Sequence, residues 1–285
     1  MTDPERFTRF AAIDWSGAKG SRHPGIALAV CERGSEAPRL VTPPGTAWSR
    51  GQILEWVRAQ SATPILIGFD FSFSAPFIQR GAHLPGETTT VSARDLWAFV
   101  DANSPDPDLG AASFLEARRG RHFYLGAADG RKADFLYWRA CEVAHDGSTK
   151  PSTVYDAIGA AQVAKASFAG MRLLYALDGQ VPVWPFDPMP ETGALVVEIY
   201  TAIAARAAGL PKGRSKIRDA AALDTALAKL GSEPHAPLTR YTDHVTDAIL
   251  TAAWLRANAA RADLWSPRAL TPEIAQTEGW TFGIP

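Results

Sequence analysis

Three short strand-like segments precede the first predicted helix, and this order constrains the fold more than any other feature of the chain. Phe10–Asp14 and Gly25–Cys31 are apolar runs separated by turn residues, and Arg39–Thr42 is a third, shorter candidate. Their close spacing predicts antiparallel hairpins. Residues 49–60 then carry apolar side chains at helical spacing, and Ile65–Phe69 is a continuous apolar run, as in buried parallel strands. Together these segments predict a mixed sheet.

The alternation of strand and helix returns near the C-terminal end. Leu195–Tyr200 is a predicted strand, and helices are predicted from about 219 to 230 and from about 243 to 262. The region between has predicted helical pieces at 94–102, 111–118 and 154–177. It also carries many aromatic residues, and this composition is too apolar for a disordered linker. We therefore expect an α/β, ribonuclease H-like fold in one domain spanning 1–285, with a mixed five-stranded sheet and flanking helices. A large, mostly helical insertion is expected at about 76–190, between core strands.

Composition narrows the class of protein and of partner. The formal net charge is -1, so any binding of nucleic acid must come from local basic patches. Cys31 and Cys141 are too few for a disulfide framework or a zinc site, and both are predicted to be buried thiols. The first ten residues contain no signal-peptide core, and no segment has the roughly 20 apolar residues of a membrane span. We expect a cytoplasmic protein without a membrane partner, and the oligomeric state stays open.

Four carboxylates fall where burial makes an ionised group costly. Asp14 ends the first strand, and Asp70 directly follows the apolar run Ile65–Phe69. Glu198 lies inside LVVEIY, and Asp247 precedes a helical stretch that is apolar nearly all round. An isolated buried carboxylate is unfavourable, and several together repel one another. A divalent cation such as Mg²⁺ removes both problems, because hard oxygen ligands bind it and its charge offsets theirs.

Each acid also has an ordinary structural alternative. Asp14 and Asp70 could each cap a turn. Glu198 could pair with an arginine, either Arg206 or Arg139. Singly these acids are weak signals of a site, and only their joint order is informative.

Two further pairs of charged residues stand close together in sequence. Asp243 is predicted to act as a cap or dipole residue at the start of the last long helix, and Asp247 shares its face at i,i+4. Arg139 and Glu142 in YWRACE are predicted to form a buried structural pair.

The order of the acids resembles the ribonuclease H-like fold, in which the first three strands form an antiparallel meander. In that fold an acid on the first strand meets one beyond the fourth strand and one on the final helix. More narrowly, the chain resembles a family of uncharacterised proteins predicted to be nucleases of this fold. The resemblance rests on AIDWSG (12–17), IGFDFSFSAP (67–76), VVEIYTA (196–202) and DHVTDAILTAAW (243–254). The last segment is also similar to the HxxDA helix of Holliday-junction resolvases, with His244 and Asp247 in its polar positions.

The chain departs from that family at two places. The family usually has proline two residues after its second-strand Asp, where this chain has FSFSAP after Asp70. It usually has Tyr-Pro after the Glu, where this chain has Tyr200 and Thr201. Both departures leave the acids in place and concern the shape of the pocket.

The resemblance implies a metal-dependent nuclease with Asp14, Asp70, Glu198 and Asp247 as its catalytic acids. They would bind one or two Mg²⁺ (or Mn²⁺) ions, with Asp243 as an outer ligand. Two ions about 4 Å apart would activate a water and stabilise the leaving oxygen of a phosphodiester. The expected partner is nucleic acid, either DNA or RNA, or another phosphate ester.

Six residues are candidates for contact with that substrate: His244, Ser16, Lys212, Lys216, Arg118 and Arg121. The basic clusters RRGRH (118–122) and PKGRSKIR (211–218) could hold a phosphate backbone, and aromatic residues beside the first could stack on a base. A charge run is also often a solvated loop. His244 could position a water or contact a phosphate, or it could be a solvated or core histidine.

Two other classes of function remain as alternatives. Actin-like-fold kinases and ATPases share the core fold, and residues 12–30 could form a phosphate-binding hairpin of that kind. The sequence has no second Asp-Gly hairpin and no GxxxxGK[ST] loop. A non-catalytic nucleic-acid-binding or scaffold relative would have been favoured by loss of an acid, whereas all four are present. Ser16 lacks the GxSxG elbow of serine hydrolases.

Overall fold

A computed structural model of the chain describes residues 3–87, 90–145, 152–158, 163–211 and 216–285. Within them, the strands are β1 (Arg9–Asp14), β2 (Ala27–Glu32), β3 (Arg39–Leu40), β4 (Ile65–Phe69), β5 (Val183–Trp184) and β6 (Leu195–Glu198). They form one sheet in the order β3-β2-β1-β4-β6-β5. The first three strands pair antiparallel, whereas β1, β4, β6 and β5 run parallel. The α/β class and the mixed sheet are confirmed.

The predicted count of five strands is wrong, because β5 adds a sixth at the edge beside β6. This strand has only two residues and lies in the proline-rich stretch VPVWPFDP. So short a segment has no periodicity that could mark it as a strand. Its main-chain pairing with β6 defines it instead.

The helices are α1 (Arg50–Ala59), α2 (Ala93–Ala102), α3 (Ala112–Ala117), α4 (Ala140–Ala144), α5 (Val163–Ala176), α6 (Thr201–Ala207), α7 (Ala220–Lys229), α8 (Asp243–Asn258), α9 (Ala262–Trp265) and α10 (Pro272–Thr277). Helix α8 packs on β1 and β2, and its apolar side chains share a core with the same face of β4 and β6. Helices α1, α2, α3 and α5 contribute to a second core on the other face. None of the described helices has the length and apolar character of a bilayer crossing.

Strand alternation decides which face of the sheet each acid occupies. Phe10 and Ala12 belong to the core that contains α8, whereas Ala11 and Ile13 belong to the opposite core. Successive side chains of a strand point to opposite faces. Asp14 therefore continues the row that faces α8.

Helix boundaries follow local capping where side chains provide it. The Ser49 hydroxyl accepts from the Gln52 N–H at 3.0 Å, and the Gln52 side chain accepts from the Ser49 N–H. The helix predicted over residues 154–177 is wrong at its start, because residues 154–158 contain a turn and a bridge. Residues 159–162 lie outside the described residues, and α5 covers Val163–Ala176. The Tyr124 N–H donates to the Tyr155 carbonyl at 2.9 Å. This long-range bond holds the segment outside a helix.

The C-terminal segment closes the sheet edge next to the acids. Trp280, Phe282 and Ile284 are buried, and the Phe282 N–H donates to the Glu198 carbonyl at 2.8 Å. The alternation of WTFGI is that of a strand, and the chain forms a bridge to β6 there. The segment thus becomes part of the wall around the site.

Candidate active site

Asp14 and Asp70 lie at the C-terminal ends of neighbouring parallel strands. Ile13 is opposite Phe69 in the sheet, and the Asp70 N–H donates to the Ile13 carbonyl at 3.1 Å. Equivalent positions of parallel strands share a face, so both carboxylates leave the sheet on the side of α8. Asp247 comes from α8, in the second turn of that helix. The three acids line one cavity of about 350 Å³.

The pKa values of all three carboxyls are raised, so their ionised forms are unfavourable in the protein alone. Burial raises the pKa of Asp14, although its bond to His244 opposes the shift. Loss of hydration raises the pKa of Asp70 well above its ordinary range, and Asp14 and Asp247 add to the effect. Burial, together with Asp14 and Asp243, raises the pKa of Asp247 to about 7. The protein alone therefore favours the protonated form of these carboxyls, and a cation would favour the ionised form.

His244 is the direct partner of Asp14. Its Nδ1 lies 2.7 Å from Asp14 Oδ1, and about half of the imidazole is exposed. The bond to Asp14 raises the pKa of His244. A Cβ atom on Gly25 would lie 3.2 Å from His244 Nε2 and 3.4 Å from Ser16 Oγ. Glycine at this position leaves room for both side chains, of which His244 lines the cavity and Ser16 does not.

Glu198 belongs to the opposite face of the sheet. It is the register partner of Phe69, not of Asp70. Its side chain therefore leaves β6 on the Phe69 side, whereas the neighbouring Val197 packs in the core that contains α8. The carboxylate still borders the cavity, because the cavity extends over the end of the sheet.

Both oxygens of Glu198 are occupied by donors from the protein. Oε1 accepts from Arg139 Nη2 at 2.5 Å and from Thr281 Oγ1 at 2.6 Å. Oε2 accepts from Arg139 Nη1 and from the Phe73 N–H, each at 2.7 Å. The alternative of an arginine partner is thus present, with Arg139 as the partner. Glu198 is a buried anchor in this arrangement.

Arg139 connects the region predicted as an insertion to the C-terminal segment. Its predicted pairing with Glu142 is confirmed, with Nε 3.0 Å from Oε1. Nη1 also donates to the Glu278 carbonyl at 3.1 Å. The Glu278 carboxylate in turn accepts from the Ala140 and Phe77 N–H groups, at 2.6 and 2.5 Å. The sequence analysis did not identify Glu278 as a partner of this cluster. The one local signal is the alternation of apolar residues at 280–284, which indicates a buried C-terminal segment.

Asp243 forms ion pairs with two cations at the rim of the cavity. Lys216 Nζ lies 2.8 Å from Oδ2, and Arg218 Nη1 lies 2.5 Å from Oδ1. The bond with Arg218, and then that with Lys216, lowers the pKa of Asp243. Asp243 is the first residue of α8, in the predicted dipole position after the Thr242 cap. Lys212 lies outside the described residues.

Arg118 and Arg121 lie elsewhere and do not line the cavity. Arg118 is buried, donates to Glu87 at 2.8 Å, and has its guanidinium 3.9 Å from the centre of the Phe114 ring. Arg121 is exposed, and its Nη1 lies 3.4 Å from the same Glu87 carboxylate. The first is a structural residue of the fold, and the second is a surface cation of that cluster.

The acids suit a divalent cation in chemistry, but they do not form a complete ligand shell. Among the described residues, no three His, Cys, Asp or Glu side chains are grouped as the ligands of one ion. Asp14 is turned to His244, and Thr201 Oγ1 donates to Asp70 Oδ2 at 3.2 Å. Three hard oxygen donors around one cavity, with raised carboxyl pKa values, still match what Mg²⁺ or Mn²⁺ binds. Binding therefore requires the three carboxylates to come closer together around one ion.

The other walls of the cavity are largely apolar and include Trp15, Phe71 and Tyr200. An acidic cluster beside such walls suits a ligand with a charged group and an organic part. No protein-family model, curated protein or solved structure matches the chain. What the site can do is therefore inferred from its geometry and chemistry.

Proposed function

We propose that this chain is a divalent-cation-dependent phosphodiesterase of the nuclease type, acting at Asp14, Asp70 and Asp247. The observation that carries the proposal is the convergence of these three carboxylates on one cavity, each with a raised pKa. Mutually repelling acids are unfavourable for stability, and perturbed carboxyls in a cleft are typical of functional sites. A bound cation would offset their charge.

The sheet order supports a ribonuclease H-like core for this proposal. An antiparallel β3-β2-β1 meander continues into parallel β4 and β6. The acid of β1 lies beside the acid that follows β4, and the last long helix, α8, packs across β1 with a third acid. These are the relationships that the resemblance implies. The extra edge strand β5 lies outside them.

Each residue of the site has a distinct role in the proposed reaction. Asp14, Asp70 and Asp247 would hold the cation. When bound, the cation supplies charge stabilisation to the phosphate and lowers the pKa of the attacking water. His244 orients Asp14 through Nδ1 and stands half-exposed at the cavity, where it can contact the substrate. Glu198 forms a buried ion pair with Arg139 at the floor of the cavity and is not a cation ligand in this proposal.

The substrate class in this proposal is nucleic acid or a smaller phosphate ester. Lys216 and Arg218 are exposed at the rim, where Asp243 holds them. A phosphate next to the cavity would compete with Asp243 for these cations. The net charge of -1 leaves little long-range attraction for a polyanion. Recognition therefore depends on this local patch.

The proposal is tested by hydrolysis assays on chelator-treated protein. Labelled single-stranded DNA, duplex DNA, RNA and a four-way junction, together with bis(p-nitrophenyl) phosphate, are incubated with Mg²⁺, Mn²⁺ or EDTA. We expect cation-dependent cleavage by wild type and by Asp134→Asn, a matched variant of an exposed acid paired with Arg131. Asp70→Asn and Asp247→Asn should fall to background.

Three results would overturn the proposal. The first is cleavage that persists in EDTA or in both site variants. The second is absence of cleavage of every substrate, which favours a non-catalytic relative of the fold. The third is release of phosphate from ATP alone, which favours the kinase or ATPase alternative.

A further inference from the structure

Thr201 stands at the junction of β6 and α6 and contacts one of the proposed cation ligands. Its Oγ1 donates to Asp70 Oδ2 at 3.2 Å. The sheet determines this contact, because the Ile199 N–H donates to the Phe69 carbonyl at 3.0 Å. That bond places Thr201, two positions after Ile199, beside Asp70, which directly follows Phe69. The main-chain pairing therefore brings the hydroxyl to the carboxylate.

The partner of Asp70 differs in kind from those of two other acids nearby. Glu198 is paired with a guanidinium, and Asp243 is paired with Lys216 and an arginine. Cationic partners neutralise a carboxylate as well as orienting it. A hydroxyl orients the carboxylate through one oxygen and leaves its charge in place. Thr201 thus orients Asp70 through its hydroxyl and its main-chain N–H, and leaves the carboxylate charge for a cation to compensate.

We propose that Thr201 is a positioning residue for cation binding, which holds the Asp70 carboxylate in the orientation that the cation requires. This inference rests on the proposed function. Asp14 and Asp247 both face Asp70 across the cavity, and their repulsion would otherwise turn its side chain away. The hydroxyl stabilises the ionised carboxylate against that repulsion. Loss of such an outer partner typically reduces metal affinity by about 10- to 100-fold.

The test is a titration of chelator-treated protein with Mn²⁺, in which electron paramagnetic resonance counts the free ion. Thr201→Val removes the hydroxyl at nearly constant shape, and Thr201→Ser keeps it. Thr225→Val is the matched control, because Thr225 is exposed on α7 and donates to the Ala221 carbonyl at 2.7 Å. Thr201→Ala is a second deletion variant in case valine perturbs folding, and circular dichroism checks each fold.

We expect Thr201→Val and Thr201→Ala to bind Mn²⁺ about tenfold more weakly than wild type. Thr201→Ser and Thr225→Val should bind it as wild type does. Wild-type affinity in folded Thr201→Val and Thr201→Ala, with binding lost in Asp70→Asn, would overturn the role of Thr201 and leave the proposed function standing. Equal Mn²⁺ affinity in wild type and Asp70→Asn, or no affinity in either, would overturn both.

Discussion

Arg139 and Glu198 form a two-bond ion pair at the floor of the cavity, with Nη1 2.7 Å from Oε2 and Nη2 2.5 Å from Oε1. Both side chains are almost completely buried. Arg139 also forms an ion pair with Glu142, so one guanidinium compensates two buried carboxylates. The pair joins the end of β6 to the start of α4. It therefore belongs to the framework of the site, and the proposed cation ligands are the acids on the other face of the sheet.

Arg139→Met should destabilise the protein by about 3–5 kcal/mol, because it leaves buried carboxylates without their partner. Urea denaturation at neutral pH measures the free energy of unfolding. The matched control is Arg131→Met, since Arg131 is exposed and its ion-pair partner within the described part of the chain is Asp134, which is also exposed. That control should change stability by at most about 0.5 kcal/mol. Equal effects of the two substitutions would refute the structural role of Arg139.

Glu198→Gln should retain Mn²⁺ affinity close to that of wild type, because Glu198 is occupied by Arg139, Thr281 and the main chain. The same titration should show loss of binding in Asp70→Asn. A Glu198→Gln variant that folds but no longer binds Mn²⁺ would mean that Glu198 is a ligand after all. Stability, measured in parallel, should fall because a charged hydrogen-bond acceptor is lost.

Asp247→Asn should stabilise the cation-free protein by about 1–3 kcal/mol at pH 8, while abolishing the proposed activity. The folded protein raises the pKa of Asp247 to about 7, so the ionised form is unfavourable in the folded state above that pH. The gain should shrink as pH falls through 7 and vanish below about 4, where the carboxyl is protonated in both states. Denaturation in EDTA at several pH values measures it. A variant less stable than wild type at pH 8 would contradict the repulsion that the account requires.

His83, which lies outside the proposed site, should make the free energy of unfolding decrease at acid pH. It is fully buried, with Nε2 2.8 Å from the Thr277 carbonyl, and burial lowers its pKa to about 4. The unfolded chain takes up the proton near pH 6.5, so stability falls as pH decreases from 6.5 toward 4. Between pH 7 and 4.5, wild type should lose about 2 kcal/mol more than His83→Gln. Parallel loss in both proteins would show that His83 does not carry this dependence.

The core strands could be predicted from sequence because a fully buried strand is a continuous run of apolar residues. The apolar runs at Phe10–Asp14 and Ile65–Phe69 match β1 and β4 closely, and Ser49 gives a cap signal for α1. The acids that end these two runs are neighbours because parallel strands end at one edge of the sheet. That part of the site follows from strand order alone.

The remainder of the site depends on register and on distant partners. Glu198 looked equivalent to the other acids, but a one-position offset in register gives it the opposite face. Arg118 looked like part of a basic surface, but its partner Glu87 lies 31 residues away in sequence. Thr201 and Thr281 carry no local signal, since a hydroxyl acquires a role only when folding brings it to a carboxylate.

Calorimetric titration of Mn²⁺ into chelator-treated protein tests the central claim most directly. Wild type, Asp14→Asn and the surface control Asp134→Asn are compared, alone and with a cleavage-resistant phosphorothioate oligonucleotide. The account predicts binding by wild type and by the control, and loss of that binding in Asp14→Asn. Absence of binding in wild type under both conditions, or equal binding by Asp14→Asn, would contradict a cation site at the end of β1.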